Sequence, residues 1–124
     1  MNPVVLIVDD EPNILDVFAS MLEKLDFEVF KANSAIEAMK LMANRKFDLF
    51  IIDLSMPEMN GLELAVHIRE KQEYAPVIMT AGVNLADAGI DINKYGIDDF
   101  LMKPFTFDEI SRKITKVTQL DLVV

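Results

Sequence analysis

Five short apolar runs alternate along this chain with five stretches that read as helices, and no Pro/Gly/Ser linker or internal repeat interrupts them. The runs are Val4–Val8, Phe27–Ala32, Phe47–Ile52, Val77–Met79 and Phe100–Met102. The first is continuous Val-Val-Leu-Ile-Val rather than alternating, the pattern of a strand buried on both faces. Pro12 suits the first turn of a helix, and Ile14, Leu15, Phe18, Met21, Leu22 and Leu25 follow on one stripe. Ser34 with Glu37, and Thr106 with Glu109, have capping-box spacing; the first opens a helix to about Asn44, the second a helix with Ile110, Ile114 and Val117 on one side. Asn60 and Glu63 can cap a helix that runs to about Lys71. Asn84–Gly96 is the least regular stretch; it reads as a weak helix capped by Asn84 and Asp87, because Gly89 costs a helix about 1 kcal/mol relative to Ala, and it is expected to be the most mobile element.

Alternation of this kind requires a parallel sheet with helices on both faces, so residues 1–124 read as one α/β domain. Crossovers are expected to be right-handed. In such sheets ligands bind beyond the carboxyl ends of the strands, where the strand order reverses. The first strand runs into Asp9-Asp10-Glu11, the third into Asp53, the fourth into Thr80 and the fifth into Lys103-Pro104. The second delivers only Ala32-Asn33. Polar loops alone account for one or two of these residues, but not for three aspartates on one edge, since clustered carboxylates repel and raise one another's pKa. Lys103 supplies one compensating charge, and a divalent cation would supply more.

Composition narrows the cation and the chemistry. There is no cysteine and one histidine, His67, on a helix away from the strand ends and read as solvated or packed, so only oxygen ligands are on offer. Magnesium suits such a set, keeping sites for water and phosphate oxygens. No phosphate-cradling glycine loop is present, which speaks against tight nucleotide binding. A carboxylate, a hydroxyl, an ammonium and a metal suit phosphoryl transfer onto the carboxylate. Asp53 is the central candidate nucleophile; Lys103, the metal and a backbone amide would neutralise the phosphoryl oxygens, and Thr80 would donate a hydrogen bond to them. The formal net charge of −9 opposes contact with nucleic acid or anionic membrane. Val4–Val8 is too short for a signal-peptide core, and no run approaches the roughly 20 apolar residues of a membrane span, so a cytoplasmic location is expected.

Taken together and in order, Asp9-Asp10, Asp53, Met56-Pro57 with Gly61, Thr80-Ala81 and Lys103-Pro104-Phe105 resemble the receiver domain of two-component response regulators, the CheY-like family, over essentially the whole chain. The resemblance implies a flavodoxin-like sheet of order 2-1-3-4-5 with five surrounding helices. It implies that Asp53 takes phosphate from a sensor histidine kinase or phosphotransfer protein. Asp9, Asp10, Asp53 and the Ser55 carbonyl would hold Mg2+, and Thr80 and Lys103 would contact the phosphoryl group. Thr80 and Phe100 would form a switch altering the surface of the fourth helix, fifth strand and fifth helix, for an output domain, a target protein or a phosphorylation-dependent dimer. Lys103–Pro104 is a candidate cis bond. In one departure, Pro76 to Thr80 is a residue shorter than the family pattern. Such a domain assists its own phosphorylation and is not a turnover enzyme. A magnesium-dependent phosphatase would need a second aspartate two residues past the nucleophile, where this chain has Ser55. A receiver-like interaction module without phosphorylation has no need of the repulsive acidic set.

Overall fold

The computed structural model describes residues 2–120. Five strands, β1 (Val4–Val8), β2 (Glu28–Ala32), β3 (Leu49–Asp53), β4 (Val77–Ala81) and β5 (Asp99–Met102), form one parallel sheet in the order β2-β1-β3-β4-β5. The order reverses between β1 and β3, which puts the crevice of a doubly wound sheet at their carboxyl ends. The four α-helices among the described residues are α1 (Pro12–Lys24), α2 (Ala35–Asn44), α3 (Gly61–Lys71) and α4 (Phe107–Thr118). None of the described helices is long and apolar enough to cross a membrane.

Strand pleating sorts the apolar residues into two cores. Val5, Ile7, Leu49, Ile51, Ile78 and Leu101 face α1 and α4, where Phe18, Leu22, Ile110 and Ile114 meet them. Leu6, Val8, Phe50, Ile52, Val77 and Met79 face α2 and α3, where Ala38, Met42, Leu64 and Ile68 meet them. Both faces of the central strands are therefore dry, which explains why their sequences are continuous apolar runs. The caps form as their spacing predicts. Asn60 and Thr106 each complete a reciprocal capping box, with Glu63 and Glu109. Ser34 accepts from the Glu37 amide.

The stretch between β4 and β5 does not form the helix expected over Asn84–Gly96. Its cap does form: Asn84 accepts from the Asp87 amide at 3.1 Å, and Ala88 N–H reaches the Asn84 carbonyl at 3.0 Å. The chain makes that one turn and no helix follows. Gly89 is left-handed (φ 78°), its N–H bonds to the Ala86 carbonyl, and Ile90 N–H reaches back to Leu85. This is a Schellman-type pair of hydrogen bonds, so Gly89 closes an isolated turn rather than sitting inside a helix. The same ending recurs at Gly96 (φ 73°), after a single 3-10 turn at Ile92–Tyr95. Leu85 and Ile97 are fully buried, so this irregular segment still covers the sheet.

Arg69 of α3 fastens it. The guanidinium donates to the carbonyls of Glu73, Ala75 and Gly96 and lies 3.3 Å from Asp98, whose carboxylate accepts from the Val77 amide. The position expected to be most mobile is thus tied to α3 and to the start of β4.

Candidate functional site

Two adjacent strands, β1 and β3, deliver the acidic cluster. Asp9 follows β1 and is 2% exposed, Asp53 ends β3 and is 6% exposed, and Asp10 faces solvent. One carboxylate oxygen from each of the three lies within 4.8 Å of the others. Lys103, just past β5, reaches over this edge: its Nζ is 2.7 Å from Asp9 Oδ2 and 3.2 Å from Asp53 Oδ1. Its backbone N–H donates to the Ala81 carbonyl at 2.7 Å, and the Lys103–Pro104 peptide bond is cis. Asp9 also accepts from the Glu11 amide at 3.0 Å.

The electrostatics follow from burial and count. Burial raises the pKa of Asp53 above the ordinary carboxylate value; Asp9 and Asp10 push it further up, and Lys103 pulls it only part of the way back. Burial alone would lower the pKa of Lys103, but its hydrogen bond to Asp9 and the charges of both carboxylates outweigh that and raise it. One ammonium shared between two buried carboxylates leaves the site short of positive charge. The donor set is all oxygen and hard, and the crowding of its carboxylates matches what a small divalent cation such as Mg2+ relieves.

Thr80 lies one strand over, buried at 1% exposure and in register with Asp53 across the β3–β4 ladder. The short approach from Pro76 therefore does not displace it. Strand β4 begins directly at Val77, with the Pro76 carbonyl accepting from Phe50. Ser55 is exposed in the loop after β3, and its carbonyl accepts no hydrogen bond from a described residue. That loop is closed by Leu54 N–H to Thr80 and by Gly61 N–H to Leu54, both at 2.9 Å. Gly61 is required sterically: a Cβ there would collide with the Asp53 carbonyl oxygen. Phe100 is half-buried on β5, paired with Met79 and not among the cluster; Lys113 of α4 sits 5.6 Å from its ring centroid. His67 lies on α3 and is absent from the acidic cluster.

The carboxyl ends of the strands do not include one buried charged group, beside Phe100. Asp99, 6% exposed at the start of β5, accepts from Lys113 at 3.1 Å and Lys116 at 3.4 Å, and from its neighbour Phe100's amide at 2.8 Å. The available signal was an acid beside Phe100 together with two lysines three apart on the last helix.

The sequence model of the response regulator receiver domain matches residues 5–115. The chain is 31% identical over 115 residues to the response regulator protein PilR of Pseudomonas aeruginosa, an alignment covering 93% of this chain and 26% of that protein. It is 30% identical over 118 residues to the alkaline phosphatase synthesis transcriptional regulatory protein PhoP of Bacillus subtilis, covering 94% and 49% respectively. The chain thus spans about half or less of the length of these relatives. Among solved structures, a CheY-like receiver domain protein from Methanospirillum hungatei superposes with a TM-score of 0.89 at 28% identity, covering 96% of this chain and 95% of that one. The response regulator TrrA from Thermotoga maritima, solved in complex with Mg(2+)-BeF, superposes with a TM-score of 0.83 at 33% identity, covering 94% and 99%. The chain belongs to the receiver domain family of two-component response regulators.

Proposed function

We propose that this receiver domain accepts a phosphoryl group on Asp53, with Mg2+ as cofactor, and that the modification alters a partner-binding surface. The observation that carries this reading is the cluster itself: three carboxylates with oxygens within 4.8 Å of one another, two of them bridged by a single ammonium. A purely structural site has no reason to keep such repulsion.

In the reaction, an Asp53 carboxylate oxygen attacks the phosphorus of a phosphohistidine on a sensor kinase or phosphotransfer protein. The P–N bond breaks, and its electron pair returns to the imidazole nitrogen. Mg2+, held by Asp9, Asp10, Asp53 and the Ser55 carbonyl, would supply charge neutralisation for the phosphoryl oxygens. Lys103 stabilises charge on those oxygens through its ammonium, already poised at the carboxylate it bridges. Thr80 donates its hydroxyl to the product. As Thr80 moves toward Asp53, Phe100 shifts inward. The responding surface comprises the segment 84–96, β5 and α4, and it faces an output domain, a target protein or a second phosphorylated copy. The domain acts in the cytoplasm without touching nucleic acid itself, and it assists its own phosphorylation rather than turning over a substrate.

Intact mass after incubation with acetyl phosphate tests this, with and without Mg2+. A phosphate adduct that requires the metal and is lost in Asp53→Asn is the expected outcome. If no adduct forms in any condition, the phosphoacceptor reading fails and a silent interaction module takes its place.

A further inference from the structure

At the opposite end of α3 from Asp53, a cavity of about 470 Å³ opens between the C-terminal ends of α2 and α3. Its apolar lining comes from Met39, Met42 and Ala43, and its cations are Arg45, Lys46 and Lys71, with His67 beside them. No acidic side chain lines it, although the chain carries a net charge of −9. Neither Lys46 nor Lys71 takes part in a salt bridge among the described residues, a state they share with Lys24, Lys40 and Lys94, but of these five only Lys46 and Lys71 line the cavity. The guanidinium of Arg45 is held over the Phe30 ring at 4.1 Å from its centroid. Its Nε is the only buried side-chain polar atom without a hydrogen-bond partner among the described residues. Its one acidic neighbour, Glu28, is 4.0 Å away and does not line the cavity.

The walls are also fixed in place. Gln72, at the end of α3, donates to the Arg45 carbonyl at 3.0 Å and accepts from the Phe47 amide at 2.9 Å. This staples the loop carrying Arg45 and Lys46 to the helix carrying Lys71. Cations at helix C-termini also complement the helix dipoles, but that role needs neither a cavity nor an apolar floor.

From this arrangement we infer a binding site for a small phosphate monoester with an apolar body. A monoester carries about −1.5 to −2 charge at neutral pH, matched by two unpaired lysines, while the methionine-lined floor takes the apolar part. The volume lies within the range of small-molecule sites, roughly 300–1,000 Å³. The Asp53 chemistry plays no part in this site.

The test is a residue-resolved amide NMR titration of the whole chain with phenyl phosphate, inorganic phosphate and phenol in separate arms. Phenyl phosphate is expected to give saturable shifts at Met42, Ala43, Lys71 and Gln72, with inorganic phosphate weaker and phenol without effect. Lys46→Ala/Lys71→Ala should weaken binding roughly tenfold, since each exposed ion pair contributes a modest increment. Lys46→Gln alone should weaken it by less, with the rest of its spectrum overlaying the wild type. The inference is overturned by shifts confined to the neighbourhood of Asp9, Asp53 and Thr80, by the absence of saturable shifts at millimolar ligand, by phenol binding as well as its phosphate, or by undiminished binding in the lysine variants.

Discussion

Asp53 and Asp99 are buried to the same degree, 6% exposed each, on strands of one sheet, yet the protein treats their charges in opposite ways. Asp53 has two carboxylate neighbours and half a share in one lysine, and its pKa is raised. At Asp99 burial again acts upward, but the hydrogen bond from Lys113, the Phe100 amide and the charges of two lysines outweigh it, and the pKa is lowered. Burial is therefore not what distinguishes the two; the ratio of partners to rivals is. An aspartate whose charge is satisfied within the protein acts as a structural tie. One left under-compensated is available to a cation and an electrophile.

The sharpest way to break the comparison is to remove the positive charge from the Asp53 side. Lys103→Met takes away the only ammonium among the described residues that bridges Asp9 and Asp53. Adduct formation from acetyl phosphate should slow by about 100-fold or more, as when one preorganised charge-stabilising group is deleted from an active site. In chelator-treated buffer the same variant should lose about 3 kcal/mol of stability in urea titration, because buried carboxylates are left uncompensated. Added Mg2+ should return part of that loss. Unchanged labelling would remove Lys103 from the chemistry.

Asp99→Asn should break the opposite side. The variant keeps an acceptor for the Phe100 amide and loses the charge that two lysines face. A loss of about 1–2 kcal/mol at pH 7 is expected. Because the folded-state pKa is depressed, the charge contributes stability above the ordinary value of 3.8 and loses it as pH falls through the folded value. Wild-type and variant urea midpoints should therefore converge in acid. A gap that stays constant down to low pH would mean the lost packing, not the lost charge, is responsible.

Asp53→Asn should act with the other sign. Removing a like charge within about 5 Å of its neighbours relieves repulsion on the order of 1 kcal/mol, so the variant should be more stable than the wild type in metal-free buffer at pH 7. Saturating Mg2+ should shrink or reverse the difference, since the cation supplies what the protein withholds. A destabilised Asn variant without metal would show that Lys103 already over-compensates the site.

The contrast also marks what the sequence makes legible. The strands could be read because both faces of β1, β3 and β4 are buried, leaving continuous apolar runs in the chain. Asp9, Asp53, Thr80 and Lys103 could be read because a parallel sheet sends every strand end to one edge, although Asp9 and Lys103 are 94 positions apart. Asp99 could not, since its partners come from a packed helix face whose orientation no local pattern specifies. The segment 84–96 was legible only at its start. Its cap is local, but its two stops depend on Gly89 and Gly96 adopting left-handed conformations, each followed by an isoleucine. The signal present was the triplet Gly-Ile-Asp, repeated seven residues apart. Arg69 then binds the result from another element, in contacts that sequence spacing does not show.

The smallest effect separates the two lysines that Asp99 shares. Lys113 is closer, at 3.1 Å with a side chain 35% exposed, and also lies 5.6 Å from the Phe100 ring centroid. Lys116 reaches the same carboxylate at 3.4 Å with a side chain 73% exposed. Water screens the outer pair, and holding a long, solvated side chain opposes the attraction, so Lys116→Ala should cost no more than about 0.5 kcal/mol. Lys113→Ala should cost about 1 kcal/mol, because it removes the better hydrogen bond and the cation beside the ring. Urea midpoints in low and high salt can separate them: the Lys116 effect should vanish in high salt and much of the Lys113 effect should survive. Equal effects with equal salt dependence would mean that Asp99 is held by diffuse positive charge from α4, and that the tie beside Phe100 is looser than its geometry indicates.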